Sequence, residues 1–141
     1  MNALFDMVPK SASVAIWAMV IASLLPLGFA ALAKLLGGFA LADNTHPREF
    51  LSNTTGAAAR ANAAQQNSYE TLPVFLAAVL VAMLFFVPQS IVNNLACLYV
   101  IIRIAYGIAY IVNLPTFRST LWMLSLACCL LLFYLAIRLS L

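Results

Sequence analysis

Long apolar runs dominate this chain, and short polar segments separate them. Three stretches have no acidic or basic residue, at positions 11–33, 71–102 and 119–137. A helix that crosses a membrane needs about 20 apolar residues, so the middle stretch has room for most of two helices around the turn residues 87–90. The pattern predicts four membrane-spanning helices, roughly at residues 11–36, 57–86, 90–112 and 119–139, and a polar loop at 39–56.

The composition agrees with a membrane protein. Hydrophobic residues make up 65% of the chain and charged residues only 8%, whereas a soluble domain has about 25% charged residues. The apolar runs are continuous rather than alternating, which favours helices over the strands of a membrane barrel. We expect an all-α, up-down bundle of four transmembrane helices that forms a single membrane domain over residues 1–141. The net charge of +3 is too small to form a basic face for nucleic acid.

Basic residues predict the orientation of this bundle. Lys10 and Arg138 lie on one side, and the opposite side carries a larger set, Lys34, Arg48, Arg60 and Arg118. Cytoplasmic loops are enriched in Lys and Arg, so we expect both termini on the outer side. The small residues at 30–33 resemble a signal-peptide cleavage site, but the apolar run before them is longer than the usual 7–15 or so residues. We therefore expect the first helix to be retained.

Two ladders of polar residues interrupt the apolar helices. Residues three, four or seven apart share one face of a helix, which groups Arg60, Asn67 and Glu70 on the second helix and Arg103, Tyr106 and Tyr110 on the third. Ionisable groups at membrane depth usually face a protein interior or a wet cavity and mark a functional site. We expect the two faces to meet each other or a common cavity, where Glu70 and Arg103 are at comparable depth and could neutralise each other.

Each ladder residue also has a purely structural interpretation. Glu70 and Arg103 would then form only a buried ion pair that fixes the helix register, and Asn67 would join two helices by hydrogen bonds. Arg60 and Arg118 would extend from helix ends to lipid headgroups. The three cysteines fall inside predicted spans, so we expect them to be packing residues. The sequence has no cluster of His and Cys residues that could bind a metal, and we expect no metal site.

The residue types at these positions suit an anionic ligand. Arginine binds carboxylates through two parallel hydrogen bonds, and tyrosines with Asn67 add neutral hydrogen bonds. Arg118 and Ser119 open the fourth helix, where the positive end of the helix dipole favours an anion. A nearby cation also favours the reactive thiolate form of a thiol. These features fit an anionic thiol peptide, with a lipophilic second substrate arriving from the bilayer.

Motifs along the chain resemble those of a known family. The pattern R-A-x5-N-x2-E-x2-P-x-F at residues 60–75 resembles the second-helix signature of the membrane-associated proteins in eicosanoid and glutathione metabolism, the MAPEG family. The pattern R-x2-Y-x3-Y-x4-P-x2-R-S-x2-W at residues 103–122 resembles the third-to-fourth-helix signature of its bacterial branch. The first-loop pattern D-N-x2-P-R at residues 43–48 is also similar to that branch.

The resemblance implies a homotrimer with glutathione between neighbouring subunits, near the cytoplasmic end. Its bacterial branch, together with the distribution of basic residues, predicts a bacterial inner membrane with both termini in the periplasm. The resemblance also implies a glutathione-dependent transferase or peroxidase acting on lipophilic electrophiles or lipid hydroperoxides. By position, Arg118 would stabilise the glutathione thiolate beside Ser119 as a hydroxyl donor. The implied glutathione-binding residues are Arg60, Asn67, Glu70, Arg103, Tyr106 and Tyr110.

One departure from the family pattern keeps other functions open. Ala63 and Gln66 stand where well-studied eukaryotic members carry arginines on the second helix, and Lys34 is only a loose match to a basic residue at the end of the first. Fewer cations imply weaker capture of glutathione carboxylates, so a non-catalytic lipid-binding or accessory subunit is the alternative. A small transporter is a third hypothesis, disfavoured because no inverted internal repeat is visible.

Overall fold

Helices account for nearly all of the residues, 11–141, that the computed structural model describes. In chain order they are α1 (Ala12–Gly37), α2 (Pro47–Ser52), α3 (Gly56–Leu84), α4 (Gln89–Ile111) and α5 (Pro115–Ser140). Four of them, all except α2, are long and apolar enough to cross a membrane. The prediction of an all-α protein with four membrane-spanning helices is confirmed.

The helix ends follow local sequence signals. Ser11 caps α1, its side chain accepting a hydrogen bond from the backbone N–H of Ser13, and Gly38 ends the helix in the left-handed conformation at φ 73°. Helix α5 starts at Pro115 rather than 119, because proline suits the first position of a helix. Short helix α2 lies inside the predicted polar loop, and its six residues are too few to produce a periodic apolar pattern.

Two hydrogen bonds define the two ends of the bundle. The Arg60 side chain donates from Nε to the carbonyl oxygen of Ile111 over 2.8 Å, joining the start of α3 to the end of α4. At the opposite end Asn93 donates from Nδ2 to the carbonyl oxygen of Ser11 over 3.0 Å, joining the starts of α4 and α1. Neighbouring helices therefore run up and down, and the α1–α3 connection lies at the same end as the α4–α5 turn, which we call the loop end.

Small side chains allow the long helices to approach closely. Buried alanines line the packed faces of α1 and α3, among them Ala18, Ala22, Ala61 and Ala78. Phe75 of α3 stacks on Tyr99 of α4 with ring centroids 3.9 Å apart. Large apolar side chains such as Trp17 and Leu24 point outwards instead. An apolar exterior around a tightly packed interior is what lipid requires, and the chain is an integral, multi-pass membrane protein.

Gly107 of α4 lies directly against the Phe29 ring of α1. A Cβ atom at this position would overlap the ring of Phe29, whereas a Cβ at Gly28 would meet no atom within 4 Å. We expect Gly107→Ala to destabilise the protein by about 1–3 kcal/mol, because the core has no room for the methyl group. Thermal unfolding in detergent measures this, with Gly28→Ala as the matched control that leaves stability unchanged or raises it. Equal melting temperatures for the two variants would contradict this packing.

Candidate functional site

The side chain of Arg103 lies in the centre of the helix pair α3–α4. It is only 1% exposed. Its Nη2 donates to Asn67 Oδ1 over 3.1 Å and to Ser68 Oγ over 3.0 Å, so consecutive residues of α3 hold one guanidinium group. Ser68 in turn donates to the carbonyl oxygen of Ala64. The prediction that the two polar ladders face each other is confirmed at this contact.

Glu70 does not reach Arg103. No salt bridge joins the two side chains within residues 11–141; instead Asn67 donates from Nδ2 to Glu70 Oε2 over 3.2 Å. The hypothesis of a direct ion pair is therefore wrong for this structure, because Glu70 lies on the exposed side of α3 while Arg103 is enclosed. The amide of Asn67 connects them, accepting from the cation and donating to the carboxylate.

A buried guanidinium needs more stabilisation than Asn67 and Ser68 provide. The Nη1 atom of Arg103 is buried and has no acceptor among the described residues. The guanidinium carbon lies 4.2 Å from the centre of the Tyr106 ring, an attractive cation–π contact. Since a buried charge is costly when incompletely paired, this position favours an additional acceptor or a nearby anion.

Aromatic rings continue from Arg103 towards the loop end. Tyr106 and Tyr110 pack edge to face with centroids 5.6 Å apart, and the Arg118 guanidinium carbon lies 4.2 Å from the Tyr110 ring. The contacts therefore form one contiguous row from the middle of α4 to the first turns of α5. Its members are the guanidinium of Arg103, the rings of Tyr106 and Tyr110, and the guanidinium of Arg118. Beyond Tyr110, the side chain of Arg118 has no hydrogen bond or ion pair within residues 11–141. Its donors remain available to a ligand.

An open groove of about 410 Å³ lies along this row. Its lining includes the predicted site residues Asn67, Tyr106, Tyr110, Arg118 and Ser119, and adds Trp122 and Met123. Neither tyrosine hydroxyl has a hydrogen-bond partner in the described part of the chain, whereas Ser119 already donates to the carbonyl oxygen of Pro115 over 3.1 Å. The groove therefore offers one free cation and two free hydroxyl groups to a polar ligand.

Three other predicted site residues lie outside the groove lining. Arg60 donates a hydrogen bond to the carbonyl oxygen of Ile111, one of the carbonyls at the end of α4 that lack a partner within the helix. Glu70 lines a smaller cavity beside the groove. Arg103 is buried behind Asn67, to which it donates a hydrogen bond. Ser68 was not among the residues predicted from the sequence, although its position next to Asn67 on a face rich in alanine was a usable signal.

A larger cavity, about 560 Å³, lies elsewhere, in the connection between α1 and α3. Its lining includes Asp43, His46 and Glu49, and the Asp43 carboxylate accepts a hydrogen bond from the backbone of Ala40 over 2.8 Å. No group of three His, Cys, Asp or Glu side chains within residues 11–141 is placed to hold a metal ion. Because this cavity contains none of the ladder residues, we place the candidate site in the groove.

We expect Ser68→Ala to destabilise the protein because Arg103 loses one of its two acceptors. A hydrogen bond to a charged group contributes about 1.5–3 kcal/mol. Thr120→Ala is the control, since its hydroxyl donates only to the Thr116 carbonyl at an exposed position and its loss should change stability by less than about 0.5 kcal/mol. Chemical unfolding of both purified variants measures the difference, and a Ser68→Ala protein as stable as the control would argue against the buried network.

Comparison with known proteins identifies the family of this chain. No curated protein matches the chain significantly. The model of the MAPEG family matches residues 12–138, which span all four long helices and both polar ladders. Since the match covers nearly the whole chain, this protein belongs to the MAPEG family.

Proposed function

We propose that this chain is a membrane-embedded glutathione-dependent transferase or peroxidase that acts on lipophilic electrophiles or lipid hydroperoxides. Family membership supports a glutathione-related role. The single observation that carries the proposal is a groove lined by Arg118, whose guanidinium group has no polar partner in residues 11–141, and by two tyrosines with free hydroxyl groups. These groups suit a small anionic peptide, and the surrounding helices give lipophilic molecules access from the bilayer.

Arg118 is the residue proposed to stabilise the glutathione thiolate. Its contact with Tyr110 restricts the orientation of the guanidinium, and its place in the first turns of α5 adds the positive end of the helix dipole. In the transferase reaction the sulfur forms a bond to the electrophilic carbon, and the leaving group departs with the bonding electron pair. In the peroxidase reaction two glutathione molecules reduce one hydroperoxide to an alcohol and water, forming glutathione disulfide.

The remaining ladder residues are proposed to hold the peptide. Asn67, Tyr106 and Tyr110 would provide hydrogen bonds within the groove, and Glu70 would pair the glutathione amine. Arg103 would position Asn67 through its Nη2 contact and attract a carboxylate electrostatically. Arg60 is placed to contribute charge at the loop end, although its Nε is already bound to the Ile111 carbonyl. Ser119 would need to release the Pro115 carbonyl before donating to the sulfur.

A homotrimer is proposed as the assembly. Gln66, Tyr69 and Glu70 are exposed on α3 of the isolated chain, and polar residues at membrane depth are expected to face protein or water rather than lipid. A neighbouring subunit that covers this face would place glutathione between subunits. The loop end carries Lys34, Arg48, Arg60 and Arg118, which favours a cytoplasmic site with periplasmic termini in a bacterial inner membrane.

A non-catalytic accessory or lipid-binding role is the second candidate. The specific observation in its favour is that Arg118 is the one charged residue lining the groove within residues 11–141. A single cation binds a peptide with two carboxylates less firmly than the several arginines of better-studied relatives. This candidate therefore predicts a groove that leaves glutathione unbound.

We expect the purified wild-type protein to conjugate glutathione to a generic aromatic electrophile, and Arg118→Ala to lower kcat. The loss should be about 100-fold or more, typical for removal of one preorganised charge-stabilising donor. Arg138→Ala is the matched control, because it removes an exposed cation from the opposite end of the bundle. Steady-state assays in detergent measure both variants. Wild-type turnover no faster than detergent blanks, across several electrophiles and hydroperoxides, would refute the catalytic proposal.

Glutathione binding separates the two candidates without requiring turnover. If the groove binds glutathione, millimolar glutathione raises the melting temperature of the wild-type protein in a saturable way. The shift should disappear in Arg118→Ala and persist in Arg138→Ala. No shift in the wild-type protein is the result expected of the non-catalytic candidate.

A further inference from the structure

We propose that the small cavity between α3, α4 and α5 is a binding pocket for a single aromatic ring of the second substrate. This assignment rests on the proposed function, which places glutathione in the neighbouring groove. It names a narrower substrate class than lipophilic electrophiles in general: molecules with one ring joined by a short linker to the reactive group.

The cavity is small and lies within one chain. Its volume is about 180 Å³. Exposed residues Glu70, Val74 and Trp122 form its outer rim, and the buried residues Tyr99, Ser125 and Cys129 form its floor. An apolar cavity of about 150 Å³ stays dry and holds one benzene ring, so this volume is enough to take up one aromatic ring.

The polar groups along the wall already have partners. Tyr99 donates its hydroxyl to Thr71 Oγ1 over 3.2 Å, and Thr71 donates to the carbonyl oxygen of Asn67 over 3.2 Å. Ser125 donates to the carbonyl oxygen of Trp122 over 2.8 Å. Because these groups are satisfied within the protein, the cavity presents almost entirely apolar surface. Such a surface favours an apolar occupant over water.

The cavity adjoins the candidate site at Trp122, which lines both spaces. On α3 the groove is lined by Asn67 and the cavity by Thr71, about one helical turn further along. On α5 the groove is lined by Ser119 and the cavity by Leu126, about 10 Å further along the helix at 1.5 Å per residue. A ring in the cavity thus lies deeper in the membrane than Arg118. A short linker between the ring and the reactive carbon would place that carbon in the groove.

Phenethyl isothiocyanate is a suitable probe because it combines one ring, a two-carbon linker and an electrophilic carbon. The glutathione sulfur bonds to that carbon, and the thiol proton ends on the isothiocyanate nitrogen without a leaving group. We expect the wild-type enzyme to prefer it over a naphthylethyl isothiocyanate, whose larger ring system fits this volume less well, and over ethyl isothiocyanate, which has no ring.

Leu126→Trp tests the pocket by filling it. The expected result is at least a roughly tenfold fall in kcat/KM for phenethyl isothiocyanate, with an unchanged KM for glutathione and unchanged activity on ethyl isothiocyanate, as removal of a hydrophobic pocket predicts. The matched control is Leu130→Trp, which adds the same side chain at an exposed position of α5 and should leave all three values unchanged. Leu126→Ala should instead raise activity on the naphthylethyl compound, and it covers the case in which Leu126→Trp fails to fold.

A binding measurement distinguishes failure of the pocket from failure of the proposed function. Crystals soaked in iodobenzene should give an anomalous iodine peak in the cavity of the wild-type protein, and none in Leu126→Trp. A peak in a protein that turns over no substrate would support the pocket and reject the glutathione function. An empty cavity, or one occupied by a lipid chain that iodobenzene leaves in place, would overturn the pocket even in an active enzyme.

Discussion

The guanidinium group of Arg103 is the constraint around which the two central helices are organised. A cation at membrane depth is tolerated only where protein groups replace water, and α3 provides them as the consecutive residues Asn67 and Ser68. These contacts restrict both the rotation and the register of α3 against α4. The stacked rings of Phe75 and Tyr99 support the same register by packing. The polar pair and the stacked rings together determine which faces of the helices border the groove.

From Arg103 the row of aromatic contacts extends to Arg118 and links the rigid interior to the groove. Each member limits the freedom of the next, so Arg118 is oriented by Tyr110 without losing its donors to another residue of the described chain. An oriented cation with free donors costs little to reorganise when a thiolate forms beside it. We infer that this arrangement, rather than a high density of arginines, is how the groove would favour a thiolate.

The sequence predicted the helices well because apolar stretches without charge have few alternatives in a membrane. It also predicted the meeting of the two ladders, since helical spacing alone puts each on one face. The contacts within the ladders depended on the three-dimensional arrangement. Residue counting placed Glu70 and Arg103 at the same depth, but it could not show that the Asn67 side chain lies between them. It also could not show that Arg60 binds a backbone carbonyl 51 residues away. The cavity behind Trp122 depends on three helices at once and leaves no periodic signal.

A density map of the wild-type protein in lipid nanodiscs with millimolar glutathione would show directly whether glutathione binds beside Arg118. We expect a tripeptide-shaped density in the groove of each subunit, with the thiol sulfur within hydrogen-bonding distance of Arg118 and a neighbouring subunit closing the open side. A groove that contains a lipid chain, or that is blocked by a side chain of the neighbouring subunit at the same glutathione concentration, would contradict it.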